Sequence, residues 1–299
     1  KWRLIAQVAK FNEFDPNKRL VRLRNPPFST ITFKDGGKTD HRLWAWSGDM
    51  LMGLERFEAR KMQVRKVGKA EYLFVESDEF STRHKPGWKS KLYVLTKAPL
   101  LVMLGDSVID RGMPTYVKKR LDKLSTAKLQ APIVINAGRG GDNATSALDR
   151  LKNDVLRHQP DIVTVSFGLN DTGGRKPDQF KASLIEMIKR LKDAKIKIIL
   201  MTSTPFNNER HGWGKQFKDL GGLDEYMDKE FCAKMRSLAD GKDVLLCDLH
   251  AIFKAQIKKN PDLINKVISS DGVHLTNEGY VLAAEHVTAE ILKFIAPKQ

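Results

Sequence analysis

Four short segments after residue 100 carry side chains whose types and order could perform covalent chemistry. They are residues 105–107 (Gly-Asp-Ser), 136–142 (Asn-Ala-Gly-Arg-Gly-Gly-Asp), 168–171 (Gly-Leu-Asn-Asp) and 271–274 (Asp-Gly-Val-His). In this order they supply a hydroxyl nucleophile, donors for an oxyanion and a carboxylate–imidazole pair, a set that suits acyl transfer through a serine. Each segment is weak evidence alone, and their combination carries the prediction.

Ser107 is the candidate nucleophile. The apolar residues 100–104 lead into Gly105, which permits a tight turn at the end of a strand. A serine there lies beside backbone N–H groups that help an alkoxide or an oxyanion to form. Because Asp and Ser are also common helix caps, the alternative is a plain cap. Asp106, next to the nucleophile, is a candidate substrate contact.

The second and third segments supply candidate oxyanion donors. The glycines within 138–141 let the backbone approach a ligand closely, and the amide of Asn170 can donate to a developing oxyanion. The alternatives are a plain strand-to-helix loop capped by Asp142 or Asn143, and a turn asparagine at position 170. A phosphate-binding loop is disfavoured, because the Lys-Ser/Thr ending of a P-loop is absent.

The fourth segment places Asp271 three residues before His274. The carboxylate can hold the imidazole ring by its Nδ1–H, while Nε2 takes a proton from Ser107. The alternative is an ordinary surface pair. The catalytic interpretation is favoured because the pair comes late in the chain, after the last predicted strand.

A parallel sheet is the element that must bring these segments together. Continuous apolar runs, predicted as strands, alternate with amphipathic patterns, predicted as helices, and this alternation indicates a doubly wound α/β domain with its site at the carboxyl ends of the strands. The predicted strands are 100–104, 133–136, 162–167, 196–202 and 244–248, and the predicted helices are 116–124, 144–157, 177–194, 223–239 and 277–295.

The chain before residue 98 has a different pattern. Short alternating segments separated by Pro, Gly, Asn and Asp predict a small antiparallel β barrel or sandwich at 1–97, followed by the α/β domain at 98–299. The predicted strands are 4–11, 19–24, 29–34, 42–46, 60–67, 71–75 and 91–95, with a possible short helix at 50–59.

The four segments together resemble the four sequence blocks of the SGNH (GDSL-type) hydrolases, over about residues 99–296. The resemblance implies a flavodoxin-like three-layer α/β/α domain with a five-stranded parallel sheet, and ester hydrolysis that needs no cofactor or metal. Carried over by motif, Ser107 is the nucleophile, His274 the base and Asp271 its orienting partner. The Ser107 N–H, the Gly141 N–H and the Asn170 amide would form the oxyanion hole.

Two positions depart from the family pattern. The letters GDSL place leucine after the serine, where this chain has Val108. In the second block this chain has Gly140, at a position where family members often have another small or polar residue. Neither departure removes a catalytic group, so an active enzyme is expected.

The charge and composition limit the partners. The chain has 299 residues and a net charge of +16, and residues 1–99 hold 21 Lys and Arg against 11 Asp and Glu. The excess fits either a solvated surface or attraction to a polyanion such as an acidic polysaccharide, with nucleic acid a less favoured partner. No apolar run approaches the roughly 20 residues that span a bilayer. Since the chain begins at Lys1, a trimmed form is expected, and a secreted or periplasmic location is favoured.

The two cysteines give little chemistry. Cys247 lies in a predicted buried strand and Cys232 in a predicted helix, so unpaired thiols are favoured over a disulfide. A metal site is not expected, because no Cys/His cluster has ligand spacing. The sequence does not indicate the oligomeric state.

The ester itself is suggested by weaker features. Residues 205–214 follow the fourth predicted strand, where Trp213 could stack on a sugar and Arg210 or Arg175 could pair with an acidic group. Trp44, Trp46 and Trp88 could form a sugar platform, although core packing is the commoner use of tryptophan.

Deacetylation of a polysaccharide or glycan is therefore the favoured function. The alternatives within the family are a lipolytic or lysophospholipid-type esterase and an acyltransferase. An alternative of another class is a polyanion- or glycan-binding protein that functions through residues 1–97.

Overall fold

The computed structural model describes residues 2–8, 30–31, 44–47, 50–53, 57–67, 70–81, 87–96, 98–126, 129–174 and 176–296, with only the backbone of the strands before residue 98. The chain forms two compact units, Lys1–Ala98 and Pro99–Gln299.

The described part of the first unit consists of antiparallel strands. They are β1 (Trp2–Val8), β2 (Thr30–Ile31), β3 (Trp44–Ser47), β4 (Met50–Gly53), β5 (Phe57–Val67), β6 (Ala70–Ser81) and β7 (Gly87–Thr96). Five of them form a sheet in the order β2-β1-β7-β6-β5, and β3 pairs with β4. The predicted strand at 19–24 lies outside the described residues.

The possible helix at 50–59 is wrong. Met50–Gly53 is a strand whose residues pair with Trp44–Ser47, and strand β5 begins at Phe57. Pairing with a neighbouring strand satisfies the backbone N–H and C=O groups that a helix would have satisfied internally.

The second unit contains the predicted five-stranded parallel sheet. Its strands are β8 (Leu100–Gly105), β9 (Ile133–Gly138), β10 (Ile162–Ser166), β11 (Lys197–Met201) and β12 (Val244–Cys247), in the order β12-β11-β10-β8-β9. Every residue of β8 and β10 is buried. Strands that are apolar on both faces require helices on both faces, so the continuous apolar runs are explained by this position in the sheet.

The helices cover the sheet in two groups, in which α2 packs against α10 and α3 against α5. This arrangement gives the predicted three layers. The helices are α1 (Ser107–Arg111), α2 (Met113–Leu124), α3 (Ala144–Asp154), α4 (Leu169–Gly174), α5 (Pro177–Asp193), α6 (Leu223–Met227), α7 (Ala233–Arg236), α8 (Leu249–Lys259), α9 (Leu263–Val267) and α10 (Asn277–Ile295). None of the helices among the described residues is both long and apolar enough to cross a membrane.

The predicted helix 223–239 is interrupted. A π-helical turn, Asp228–Cys232, separates α6 from α7. Apolar periodicity cannot reveal such a turn, because it adds one residue to the hydrogen-bonded ring without removing the buried face. Cys232, in this turn, and Cys247, in β12, are both buried and unpaired, as predicted.

Candidate active site

The ends of three adjacent strands bring the first three segments together. Gly105 of β8 is in register with Gly138 of β9 on one side and with Ser166 of β10 on the other. Because parallel strands end at the same edge, the residues that follow them emerge side by side. Residues 106–107, 139–142 and 167–171 therefore share one edge of the sheet.

Two glycines permit this close assembly. A Cβ on Gly105 would overlap the Ile109 side chain and would lie 2.8 Å from the carbonyl oxygen of Ser166. A Cβ on Gly138 would overlap the backbone of Asp110. Helix α1 can therefore sit directly on the strand ends only because both positions lack a side chain.

Asp106 fixes the start of helix α1, and Ser107 is the first residue of that helix. The Val108 N–H donates to Asp106 Oδ1 at 2.9 Å. Burial raises the pKa of Asp106 to about 7, and the charges of Asp171 and Asp142 act in the same direction against the Val108 hydrogen bond. Asp106 is only 2% exposed, which conflicts with its interpretation as a substrate contact. The helix-cap alternative describes its position better.

Ser107, His274 and Asp271 form a continuous hydrogen-bonded line. Ser107 Oγ lies 2.8 Å from His274 Nε2, and His274 Nδ1 lies 2.6 Å from Asp271 Oδ2. The Ser107 residue is 6% exposed, so its hydroxyl lies at a largely enclosed position. This geometry allows a proton to pass from the hydroxyl to the imidazole while the carboxylate holds the ring.

Asp271 is held in its ionised form by its own loop. Partial burial acts to raise its pKa, but hydrogen bonds from Ser269 Oγ, from the N–H groups of His274 and Val273 and from the His274 ring outweigh that effect. The pKa of Asp271 is consequently well below its ordinary value. An ionised Asp271 is the state that orients and stabilises a protonated imidazole.

Gly141 lies in the loop that follows β9, and Asn170 is the second residue of helix α4, which follows β10. Gly141 is exposed and has φ of 74°, a left-handed conformation that favours glycine. Asn170 Nδ2 donates to the carbonyl oxygen of Asp142 at 2.8 Å, which fastens the third segment to the second. An amide nitrogen has two hydrogens, so one remains for a ligand.

The carboxylate of Asp171 links the start of helix α3 to Gly168 of the third segment. Its Oδ1 accepts from the Ala144 N–H and its Oδ2 from the Gly168 N–H, both at 3.0 Å. Burial raises the pKa of Asp171 to about 6, although both hydrogen bonds oppose the rise. The aspartate of the third segment therefore has an architectural role that its sequence motif does not reveal.

Arg150 is a residue of this site that sequence reasoning missed. Its guanidinium, on helix α3, contacts Asp142 and the strand-end carbonyls of Gly105 and Ala137. In the sequence it is one of two arginines in the predicted helix 144–157, and its side chain is only 10% exposed whereas Arg157 is exposed. No local signal could have found it.

The segment 205–214 lies beside His274. The Asn207 N–H donates to the carbonyl oxygen of Gly272 at 2.8 Å, and a Cβ on Gly272 would lie 2.6 Å from the backbone nitrogen of His211. Burial and the charge of His274 lower the pKa of His211, against the effect of Asp271. The sequence expectation that this segment borders the cleft agrees with these contacts.

Trp213 connects the segment 205–214 to helix α4. Its ring lies 5.0 Å from the His211 ring, and a Cβ on Gly173 would lie 2.6 Å from its Cη2 atom. Trp213 is 36% exposed, so part of the indole remains open to solvent. Arg210 is exposed. Arg175 and the side chains of Trp44, Trp46 and Trp88 lie outside the described residues.

Another cluster of possible metal ligands lies away from Ser107. Donor atoms of Asp228, Cys232 and His250 lie within 4.8 Å of one another. However, Arg236 Nη1 is 2.7 Å from Asp228 Oδ1, and Asp224 Oδ1 is 3.0 Å from His250 Nε2. Two of the three candidate ligands, Asp228 and His250, thus already have polar side-chain partners.

Known proteins share both the sequence pattern and the fold. The model of the GDSL-like lipase/acylhydrolase family matches residues 103–282. An arylesterase of Vibrio mimicus is 26% identical over 200 residues, which cover 65% of this chain and 89% of that protein.

Two solved structures have the same fold. The lipase/acylhydrolase of Enterococcus faecalis has a TM-score of 0.55 and 25% identity, covering 67% of this chain and 99% of that one. The acetyl xylan esterase AlAXEase has a TM-score of 0.54 and 23% identity, covering 64% of this chain and 98% of that one. The fold of this chain thus has counterparts among solved acylhydrolase and esterase structures.

Proposed function

The chain belongs to the GDSL-like lipase/acylhydrolase family and is a carboxylic ester hydrolase, and we propose that it removes acetyl groups from a carbohydrate through a Ser107–His274–Asp271 triad. The observation that carries the proposal is the pair of contacts at 2.8 Å and 2.6 Å that join the three side chains.

The first half of the reaction forms an acyl-enzyme. Ser107 Oγ attacks the ester carbonyl carbon as His274 Nε2 takes the hydroxyl proton, and Asp271 stabilises the imidazolium that results. The carbonyl oxygen becomes an oxyanion, which the Ser107 N–H, the Gly141 N–H and the Asn170 amide stabilise. The tetrahedral intermediate then collapses, and His274 returns the proton to the leaving alcohol.

The second half releases the acid. His274 takes a proton from a water molecule, and the hydroxide attacks the acyl carbon of the Ser107 ester. A second tetrahedral intermediate forms, whose oxyanion is stabilised by the same three donors. Its collapse breaks the bond between the acyl carbon and Ser107 Oγ. The proton passes from His274 to Ser107, which restores the free enzyme and leaves a carboxylic acid.

Two features support a glycan acetyl ester as the substrate. Trp213 presents a partly open indole beside His211, whose backbone packs against Gly272 in the loop of Asp271 and His274, and such a surface suits an amphipathic sugar ring. The excess of basic residues before residue 100 suits an acidic polysaccharide. The acetyl xylan esterase resembles this chain in fold alone, so it adds precedent for the scaffold. A carbohydrate polymer as substrate favours a secreted or periplasmic location.

A Ser107→Ala variant tests the mechanism and an acyl-length series tests the substrate. We expect Ser107→Ala to lose hydrolysis of p-nitrophenyl acetate by at least about 10⁴-fold, because the nucleophile is gone. Ser237→Ala, which alters an exposed serine, is the matched control. Near-normal activity of Ser107→Ala would reject the triad.

The substrate test compares acetate, butyrate and octanoate esters with acetylated xylan and acetylated pectin. A glycan acetylesterase should prefer the acetyl ester and release acetate from at least one polysaccharide. Preference for octanoate would favour the lipolytic alternative, and acyl transfer to an added sugar that exceeds hydrolysis would favour the acyltransferase.

A further inference from the structure

We propose that Arg150 is a positioning residue that holds the oxyanion hole in its working geometry. The inference rests on the proposed function, since it assigns a support to the donors named there. Arg150 is on helix α3 and touches none of the reacting atoms, so its effect on the reaction would pass through other residues.

Every side-chain nitrogen of Arg150 has an acceptor. Nε and Nη2 both lie 2.6 Å from Asp142 Oδ2, and Nη2 also donates to the Gly105 carbonyl oxygen at 3.1 Å. Nη1 donates to the Ala137 carbonyl oxygen at 2.8 Å and to Asp154 Oδ2 at 2.9 Å. The rigid planar fork of a guanidinium suits such a divergent set of acceptors, whereas an ammonium group would act as a single point charge.

These acceptors lie next to all three proposed oxyanion donors. Gly105 precedes Ser107 by two residues at the end of β8. Asp142 directly follows Gly141, and its carbonyl oxygen accepts the hydrogen bond from Asn170 Nδ2 at 2.8 Å. One guanidinium is therefore connected, through one or two further links, to the Ser107 N–H, the Gly141 N–H and the Asn170 amide.

The enclosure of the ion pair suggests a role beyond stability. The side chains of Arg150 and Asp142 are 10% and 2% exposed. A buried ion pair is often no more stabilising than well-packed apolar side chains, because both charges lose their hydration. Fixing a loop in one conformation is a use of such a pair that an apolar replacement would not reproduce.

Arg150 also offsets a concentration of negative charge at this edge. The Asp142 charge acts to raise the pKa of both buried neighbours, Asp106 and Asp171. The guanidinium is the direct ion partner of Asp142. Removal of the Arg150 guanidinium would leave the Asp142 charge without its ion partner near two other carboxylates. We therefore expect the loop 139–142 to move toward solvent.

The test replaces Arg150 with methionine and separates kcat from KM. Oxyanion donors act on the transition state, and loss of one donor lowers kcat by about 10²–10³-fold. We expect Arg150→Met to lower kcat for p-nitrophenyl acetate about 10- to 1,000-fold with little change in KM. The affinity for phenylboronic acid, which forms a tetrahedral adduct with a serine, should fall in parallel. Arg190→Met is the matched control, because Arg190 forms an exposed pair with Glu186 at the same helical spacing.

Three further variants, Arg150→Lys, Asp142→Asn and Arg150→Ala, keep the proposal testable if Arg150→Met does not fold. Arg150→Lys keeps the charge but not the fork, and Asp142→Asn keeps the shape of the acceptor but not its charge. Both should lower kcat without raising KM, and guanidinium ion should restore part of the activity of Arg150→Ala. Folded variants with kcat within threefold of the parent, or losses that only follow the folded fraction, would overturn the proposal. If Ser107→Ala retains activity, the proposed function fails first; if only the Arg150 and Asp142 variants remain active, this inference alone fails.

Discussion

The two halves of the site are built in opposite ways. Ser107, Gly141 and Asn170 follow strands whose ends are aligned by long-range register, and their loops are fastened from within by Asp106, Asp171 and Arg150. His274 and Asp271 lie on a loop between α9 and α10, outside the sheet.

Short-range hydrogen bonds make the second half. The Ser269 N–H donates to the His274 carbonyl oxygen at 2.7 Å, and Asp271 Oδ1 accepts from Ser269 Oγ at 2.6 Å and from the N–H groups of Val273 and His274 at 3.0 Å and 2.9 Å. Six consecutive residues thus organise the proposed acid–base pair. The half that holds the proposed nucleophile, by contrast, needs three aligned strands, β8, β9 and β10.

The carboxylates show the same contrast in their pKa values. On the strand side, burial raises the pKa of Asp106 and Asp171 to about 7 and about 6. On the loop side, hydrogen bonds hold the pKa of Asp271 well below its ordinary value. The difference teaches that a carboxylate's role depends on its environment: the two raised ones are architectural, and the depressed one is placed to act on an imidazole.

The largest effect is expected from Asp271→Asn on the loop side. The substitution keeps the size of the side chain but removes the charge that stabilises the imidazolium and fixes its tautomer. By analogy with serine hydrolases, kcat should fall about 10⁴-fold. Steady-state kinetics with p-nitrophenyl acetate would measure it.

Asp262→Asn, which changes an exposed aspartate before helix α9, is the control and should stay within threefold of the parent. If kcat of Asp271→Asn falls less than tenfold, the Asp271 side chain orients the imidazole but its charge does not contribute to the rate. The two halves of the site would then differ less than their carboxylate pKa values indicate.

A smaller effect is expected from Asp106→Asn on the strand side, in stability as a function of pH. In an unfolded chain Asp106 loses its proton near its ordinary pKa of 3.8, whereas burial raises the pKa to about 7 in the folded chain. The stability that this group contributes is therefore full below pH 4 and is lost as the pH rises through 7. Each unit of difference in pKa is worth about 1.4 kcal/mol.

Urea unfolding at pH 5 and pH 8, followed by far-UV circular dichroism, would measure this effect. Asp106→Asn should show a smaller decrease in stability between the two pH values than the parent, since asparagine carries no charge and can still accept from the Val108 N–H. Asp149→Asn, at an exposed position, should leave the decrease unchanged. Equal decreases in Asp106→Asn and the parent would show that Asp106 does not titrate in this range.

The smallest effect is expected at Trp213, where the two halves meet. Its indole contacts Gly173, beyond Asn170, and His211, which packs against the loop of Asp271. Loss of an aromatic contact worth about 0.5–1.5 kcal/mol should raise KM for acetylated xylo-oligosaccharides two- to tenfold in Trp213→Ala. The rate with p-nitrophenyl acetate should change less, because that substrate has no sugar ring.

Leu220→Ala removes another exposed apolar side chain and serves as the control. An equal rise in KM for both substrates would mean that Trp213 supports the site generally. In that case it would not select a sugar.

The sequence predicts the features that repeat locally. The five apolar runs predict β8 to β12 because a strand buried on both faces must be apolar throughout, and the residues after them are then placed by topology alone. The contact between Ser107 and His274 follows from motif order. Its two members are 167 positions apart, so no local pattern pairs them, and the expectation depended on the order of the segments and on the family resemblance.

What the sequence does not reveal depends on burial. In the sequence, Asp106 is a polar residue near a predicted cleft, and Arg150 is one of two arginines in the predicted helix 144–157. Their positions depend on how closely α1 and α3 approach the strand ends, which is set by packing across the whole sheet. The helix at 223–239 fails for a related reason, since a π-turn preserves the apolar face that predicts a continuous helix.

The two buried cysteines make the protein convenient for site-specific labelling. Burial raises the pKa of the thiols of Cys232 and Cys247 far above their ordinary value, and they are the only cysteines in the chain. Alkylating dyes react with thiolates, so both native residues should remain unmodified in the folded protein. A single cysteine introduced at exposed Lys215, two residues after Trp213, would then carry the only attached dye and would test whether a saccharide binds there.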